Sequence, residues 1–243
     1  VINPKAIAKA GLGWLGYEVR RLPRSLDAKR IGLGVDPFQD MRRITGTEQP
    51  VVFDVGANVG QSIRRFRTYF EAPVIHAFEP SSETFARLSE NVTDVPDLRL
   101  NNLALGPTVG TAEFIENTSP VMSSLLEFGP DCWGEVKRRT TVTVSTLDAY
   151  CAEHDVARID ILKVDTQGFE LEVLRGGEAL FGGSRIGLIY MEIIFSHLYE
   201  GVPALDEVYR FLLDRGFVLV SFYECHHRNE RAGWVDAMFA PRP

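Results

Sequence analysis

Cysteine is scarce in this sequence: Cys132, Cys151 and Cys225 are the three present in 243 residues, and no two form a Cys-x-x-Cys pair. An odd, scattered set excludes both a disulfide framework and a thiolate zinc site, and points to a reducing, cytoplasmic setting. No apolar run approaches the ~18 residues of a membrane span, and no secretory leader pattern is read. Positive charge is not in excess either. The 26 Lys and Arg stand against 33 Asp and Glu, a net charge of -7, which argues against a nucleic-acid partner. Internal repeats and low-complexity stretches are absent. With 45% hydrophobic residues, the chain can bury one substantial core and carry an appendage.

What is present centres on Val51-Val-Phe-Asp-Val-Gly-Ala-Asn-Val-Gly60. The run Val51 to Val55 has the continuous apolar pattern of a parallel strand buried on both faces, and it stops at two glycines four residues apart. Gly56 and Gly60 allow a sharp turn and close approach of a ligand, and the helix leaving the turn runs from Gln61 to Phe70. Asp54 puts a carboxylate at the end of a buried strand, where it requires a partner. A second short strand, residues 73–78, ends in Glu79-Pro80. An acid there suits a ribose diol, since a carboxylate accepts from both hydroxyls. Asn58 replaces the third glycine a dinucleotide turn would want, and no Lys or Arg lies inside the turn. A cofactor with a ribose, no phosphate and a cationic centre near Asp54 fits better than NAD.

Phe53-Asp-Val-Gly-Ala-Asn-Val-Gly-Gln61, His76-Ala-Phe-Glu-Pro80, Asn102-Leu-Ala-Leu-Gly106, Thr146-Leu-Asp148, Ile161-Leu-Lys-Val-Asp-Thr-Gln-Gly-Phe-Glu170, Leu198-Tyr-Glu-Gly201 and Asp236-Ala-Met-Phe239 occur in that order. Together they resemble the S-adenosylmethionine-dependent methyltransferases of the FkbM type, over roughly residues 36–240. The resemblance implies a Rossmann-like α/β fold with a seven-stranded, mostly parallel sheet whose last strand is reversed. It implies a cofactor site of Asp54, Gly56, Asn58, Gly60, Gln61, Glu79 and Pro80, with Asn102 and Leu103 bordering the adenine. Ser124 resembles the second of a serine pair near the cofactor, and Asp165, Gly168 and Glu170 match a motif beside its reactive end. Gln167 stands where that motif commonly carries a glutamate.

Methyl transfer from a sulfonium requires an acceptor atom held in line and relieved of its proton. Lys163 and Asp165 lie two apart on a buried strand and share a face, with Asp165 at the carboxyl end where open α/β sheets place ligands. Asp165 is the leading candidate for base or orienting group. The structural alternative is that it and Lys163 only neutralise one another. Glu192 is an acid inside the apolar strand Leu188 to Ile194, placed beside Asp165 if the first, fourth and fifth strands are neighbours. Two carboxylates could share a magnesium ion, which is not favoured because no dedicated loop is present. His197 and Tyr199 follow that strand and are expected to line the acceptor pocket. The acceptor expected from the family is a hydroxyl on a sugar, glycan precursor or secondary metabolite. The rivals are an amine acceptor, a non-catalytic cofactor-binding module and an NAD-dependent oxidoreductase.

Residues 1–47 are expected to form an amino-terminal helical extension and 48–243 the methyltransferase domain, in which 111–145 is expected to be an inserted, substrate-facing segment. Residues 5–22 have helical apolar spacing, and residues 1–45 hold nine bases against four acids, so a weak contact with a membrane surface or an anionic acceptor is one use of that face. Further strands are expected over 98–104, 111–115, 140–145, 159–164, 186–194, 217–223 and 234–240. Helices are expected over 81–91, 146–153, 170–181 and 205–215. Oligomeric state is not legible.

Overall fold

Strand β1 (Val51–Val55) is an interior strand of the computed structural model, which describes residues 32–242. The basic helix expected over 5–22, and with it the membrane-surface contact, falls outside them. The remaining strands are β2 (Val74–Phe78), β3 (Leu98–Asn101), β4 (Ala104–Leu105), β5 (Gly110–Asn117), β6 (Val136–Ser145), β7 (Ile161–Val164), β8 (Ile189–Ile194), β9 (Phe217–Arg228) and β10 (Arg231–Pro241). The helices are α1 (Pro37–Thr45), α2 (Gln61–Tyr69), α3 (Ser82–Asn91), α4 (Leu147–Glu153), α5 (Glu170–Arg175), α6 (Glu178–Gly182) and α7 (Leu205–Asp214). No described helix is long and apolar enough to cross a membrane.

Seven strands make the main sheet in the order β3-β2-β1-β7-β8-β10-β9. Every neighbour pair from β3 to β8 is parallel, and β10 runs antiparallel to both β8 and β9. This is the expected Rossmann-like arrangement with a reversed last strand. The reversal follows from the short link between β9 and β10: Asn229 and Glu230 both take positive φ, 49° and 62°, the two-residue turn that matches strand twist. One sheet face carries Val52, Ile161 and Leu188 against Phe38, Met41, Ile63 and Phe66 of α1 and α2. The other carries Phe53, Val55, Leu162 and Val164 against α4 to α7.

Two expected elements divide. The strand read over 98–104 ends at Asn101, and Ala104–Leu105 pairs instead with β6 in a separate sheet ordered β4-β6-β5. The Asn102 amide donates to the carbonyls of Glu79 (2.8 Å) and Pro80 (3.1 Å) and turns the chain between the two sheets. The helix read over 170–181 breaks at Gly176-Gly177. A Cβ on Gly176 would stand 2.2 Å from the Gly106 carbonyl oxygen, so another chain segment crosses where a continuous helix would need side chains.

Candidate active site

Gly56 follows β1 with φ +80°, and its own N–H and that of Ala57 both donate to the Phe78 carbonyl at 3.0 Å. These bonds bring the glycine turn against the end of β2, where Glu79 stands. Its carboxylate accepts from the N–H of Asn58 (3.1 Å) and of Ser81 (2.9 Å), one donor to each oxygen. Each oxygen keeps a further lone pair. Burial pushes the Glu79 carboxyl up to about 7, against the pull of those two N–H groups. Asn102 holds the same turn from outside through the two carbonyls named above.

The sheet register builds the other end of the site. Asp54 pairs with Lys163 across β1 and β7, and Lys163 with Tyr190 across β7 and β8, so these three side chains form one row on the α1–α2 face. Two residues further along each strand, Asp165 and Glu192 share that face, and Glu192 is opposite Asp236 of β10. A second row of three acids therefore lies at the carboxyl edge. Lys163 Nζ stands 3.1 Å from Asp54 Oδ1 and 3.6 Å from Asp165 Oδ2. The first contact is an ion pair without a directed hydrogen bond, since Asp54 Oδ1 accepts none. Ser62 donates to the other Asp54 oxygen. Burial works against the ammonium, but Asp54 and Asp165 outweigh it and hold Lys163 above the usual lysine range. Burial first, then Asp165, Glu170 and Asp236, push the Glu192 carboxyl well above the usual range. Burial also raises Asp236, although Tyr190 Oη donates to its Oδ2 at 2.6 Å.

The loop between β7 and α5 is tied by Glu170, whose Oε1 accepts from the N–H groups of Thr166 (2.8 Å) and Gly168 (3.1 Å). Ser124 is fully buried, donates from Oγ to the Gln167 carbonyl at 2.7 Å and accepts from Leu126 N–H at 3.0 Å.

One cavity of about 360 Å³ joins the two ends and is lined by Gly56, Asn58, Gln61, Glu79, Pro80, Leu103, Lys163, Asp165 and Glu192 among the residues expected from the sequence. That volume suits a small-molecule site. Asp54, Gly60, Asn102, Ser124, His197 and Tyr199 do not line it. Asp54 lies behind Lys163, Gly60 (φ +95°) starts α2, and Asn102 and Ser124 hold neighbouring backbone. The backbone N–H of His197 donates to Asp131 at 3.1 Å. Tyr199 is buried and reaches the site only through Gln167. The cavity also takes in Gln167 and Asp236, which the matching segments contain without a site role, and Tyr190 and Arg65, which no motif marked. Asp236 carried a usable signal, the same one as Glu192: an acid within an apolar strand.

A buried carboxylate with spare lone pairs at one end, apolar walls from Phe78, Pro80 and Leu103, and acids at the other fit an adenosine bearing a sulfonium. Among the described residues no group of three or more His, Cys, Asp or Glu is arranged to hold a metal ion.

Known proteins similar to this chain are methyltransferases. The methyltransferase FkbM domain matches residues 54–219. The 2-O-methyltransferase NoeI of Sinorhizobium fredii is 27% identical over 163 residues, covering 63% of this chain and 66% of that protein. The hexuronic acid methyltransferase AglP of Haloferax volcanii is 29% identical over 131 residues, 53% of this chain and 50% of its own length. The 31-O-demethyl-FK506 methyltransferase FkbM of Streptomyces tacrolimicus is 27% identical over 201 residues, 70% of this chain and 74% of that one. The matched stretches thus span just under two thirds of the first relative and half of the second.

Proposed function

The chain belongs to the FkbM methyltransferase family, and from that premise we propose that it methylates a hydroxyl oxygen of a sugar, glycan precursor or secondary metabolite. S-adenosylmethionine supplies an electrophilic methyl group when bound. Glu79 accepts from its ribose hydroxyls, Pro80 and Leu103 flank its adenine, and the Gly56 turn lets its chain lie against the backbone. Asp165 then orients the acceptor hydroxyl and takes its proton as the oxygen is alkylated, while Lys163, neutralised by Asp54, holds Asp165 in place.

The observation that carries this reading is that Glu79, which follows β2, and the Asp165–Glu192 pair, at the ends of β7 and β8, line one cavity. The relatives' names, a 2-O-methyltransferase and a hexuronic acid methyltransferase, support an oxygen acceptor on a saccharide. The test is transfer of an isotopically labelled methyl group from S-adenosylmethionine into fractionated glycans and metabolites, read by mass spectrometry beside Asp165→Asn. A labelled ether lost in the variant supports hydroxyl methylation. A labelled amine, or a variant with most of its activity, overturns it.

A further inference from the structure

Gln167 is the residue at which the site departs from the expected motif, and it occupies the centre of the acid cluster. Its backbone is left-handed, φ 58°, a conformation that costs a side chain energy. Ser124 steadies it by donating to its carbonyl. The side-chain amide has three partners. Nε2 donates to Asp165 Oδ1 at 2.9 Å and to Glu192 Oε2 at 3.2 Å, and Oε1 accepts from Tyr199 Oη at 2.7 Å. A phenol on one side and the Asp165 carboxylate on the other fix which way the amide faces. One planar NH2 group carries two hydrogens, so each goes to one carboxyl group and the two are held side by side.

Both bridged carboxyl groups line the cavity, and so does Asp236. The one cation among them, Lys163, is already shared with buried Asp54. Arg65, the other cation lining the cavity, lies 4.0 Å over the Phe38 ring with Asp36 4.0 Å away. An acceptor carrying a carboxylate at this end would meet three acid side chains, among which burial favours the neutral form of Glu192 and leaves Asp165 to repel it. An uncharged pair of adjacent hydroxyls would meet two hydrogen-bonding groups set next to one another. We propose that the acceptor presents an uncharged vicinal diol, read by Asp165 and Glu192 together, and that Gln167 is the positioning residue keeping the two in register. This rests on the hydroxyl-methylation reading and narrows its substrate class.

The test uses the whole chain with labelled S-adenosylmethionine. The probes are methyl glycosides of glucose, galactose, mannose, fucose and xylose, inositol, the matching monodeoxy glycosides, and methyl glucuronide. S-adenosylhomocysteine affinity is measured in parallel by calorimetry. At least one diol is methylated, and removal of the neighbouring hydroxyl lowers kcat/KM about 10- to 100-fold, as the loss of a hydrogen bond to a charged group would. The glucuronide is disfavoured against its glucoside. Gln167→Asn tolerates left-handed backbone but is too short to bridge, and lowers kcat about tenfold with S-adenosylhomocysteine affinity kept within about twofold.

A monodeoxy glycoside as good as its diol, a preferred glucuronide, or an unchanged kcat in Gln167→Asn overturns the proposal. So does a Gln167→Asn variant that loses cofactor affinity in step with turnover, which would make the amide merely structural. If no diol is methylated while S-adenosylhomocysteine binds, the diol assignment fails and the cofactor site stands; if neither occurs, the methyltransferase reading itself fails.

Discussion

Gly56 and Asp165 approach so closely that a Cβ built on Gly56 would lie 1.8 Å from the Asp165 carbonyl oxygen. The turn that receives the cofactor and the strand end that carries the proposed base are thus in direct backbone contact. Gly56 also has φ +80°, so any side chain there is strained before the clash is counted. Gly56→Ala is expected to lose at least about 1–3 kcal/mol of stability and to lose both cofactor binding and turnover. Urea unfolding with an S-adenosylhomocysteine titration checks this; a stable variant with normal affinity would show that the contact can relax.

Glu79 gives a pH signature. Its carboxyl sits at about 7 in the folded chain, above the ordinary 4.5, so folded protein holds a proton that unfolded protein releases between those values. Its contribution to stability is full below 4.5 and is lost as pH rises towards 7. Glu170, also raised to about 7 by burial, acts in the same direction. Glu79→Gln is therefore expected to flatten, without abolishing, the decline of stability over this range. Binding runs the other way. A carboxylate that accepts from two ribose hydroxyls must be ionised, so S-adenosylhomocysteine affinity should tighten by up to about tenfold per pH unit below 7 and be flatter in Glu79→Gln. Parallel slopes in the two proteins would remove Glu79 from the ribose site.

Lys163 and Asp54 test the buried pair. Lys163→Met leaves the Asp54 carboxylate, which has no solvent exposure, without its cation. The expected loss is about 3–5 kcal/mol, with most of it recovered in Lys163→Met combined with Asp54→Leu. Denaturation of the single and double variants measures the coupling. Equal, additive losses would mean that the pair does not act as a unit.

Ser124 shows how a buried hydroxyl can serve the site without touching ligand. Ser124→Ala removes a donor to the Gln167 carbonyl and an acceptor for Leu126 N–H. The expected cost is about 1–3 kcal/mol of stability, with a larger fall in kcat than in S-adenosylhomocysteine affinity. A variant that weakens only cofactor binding would put Ser124 at the cofactor instead.

The sheet and the cofactor end were legible because they are local. Val51 to Val55, the two glycines and Glu79 announce strand, turn and acid within one stretch of chain, and β1, α2 and β2 form where their periodicity places them. The breaks were not legible, because each depends on a distant partner. Gly176 interrupts a helical pattern only because the Gly106 carbonyl crosses it, and the strand from Leu98 divides because Asn102 caps Glu79-Pro80. The same holds in the site. Asp165 and Glu192 were found as acids in apolar strands, whereas Tyr199 and Ser124 act through Gln167, which lies 32 and 43 residues away from them along the chain. No spacing rule anticipates that bridge. Asp236 joins Asp165 and Glu192 at the acid edge, and Tyr190 joins Lys163 in the row before it, through register between strands far apart in the chain.

The most direct measurement is a calorimetric titration of S-adenosylhomocysteine into the wild-type chain, Glu79→Ala and Asp165→Asn under identical conditions. The account predicts one site per wild-type chain, a loss of about 1.5–3 kcal/mol in Glu79→Ala and near-wild-type affinity in Asp165→Asn. No binding to the wild-type chain, or unchanged affinity in Glu79→Ala, would contradict it.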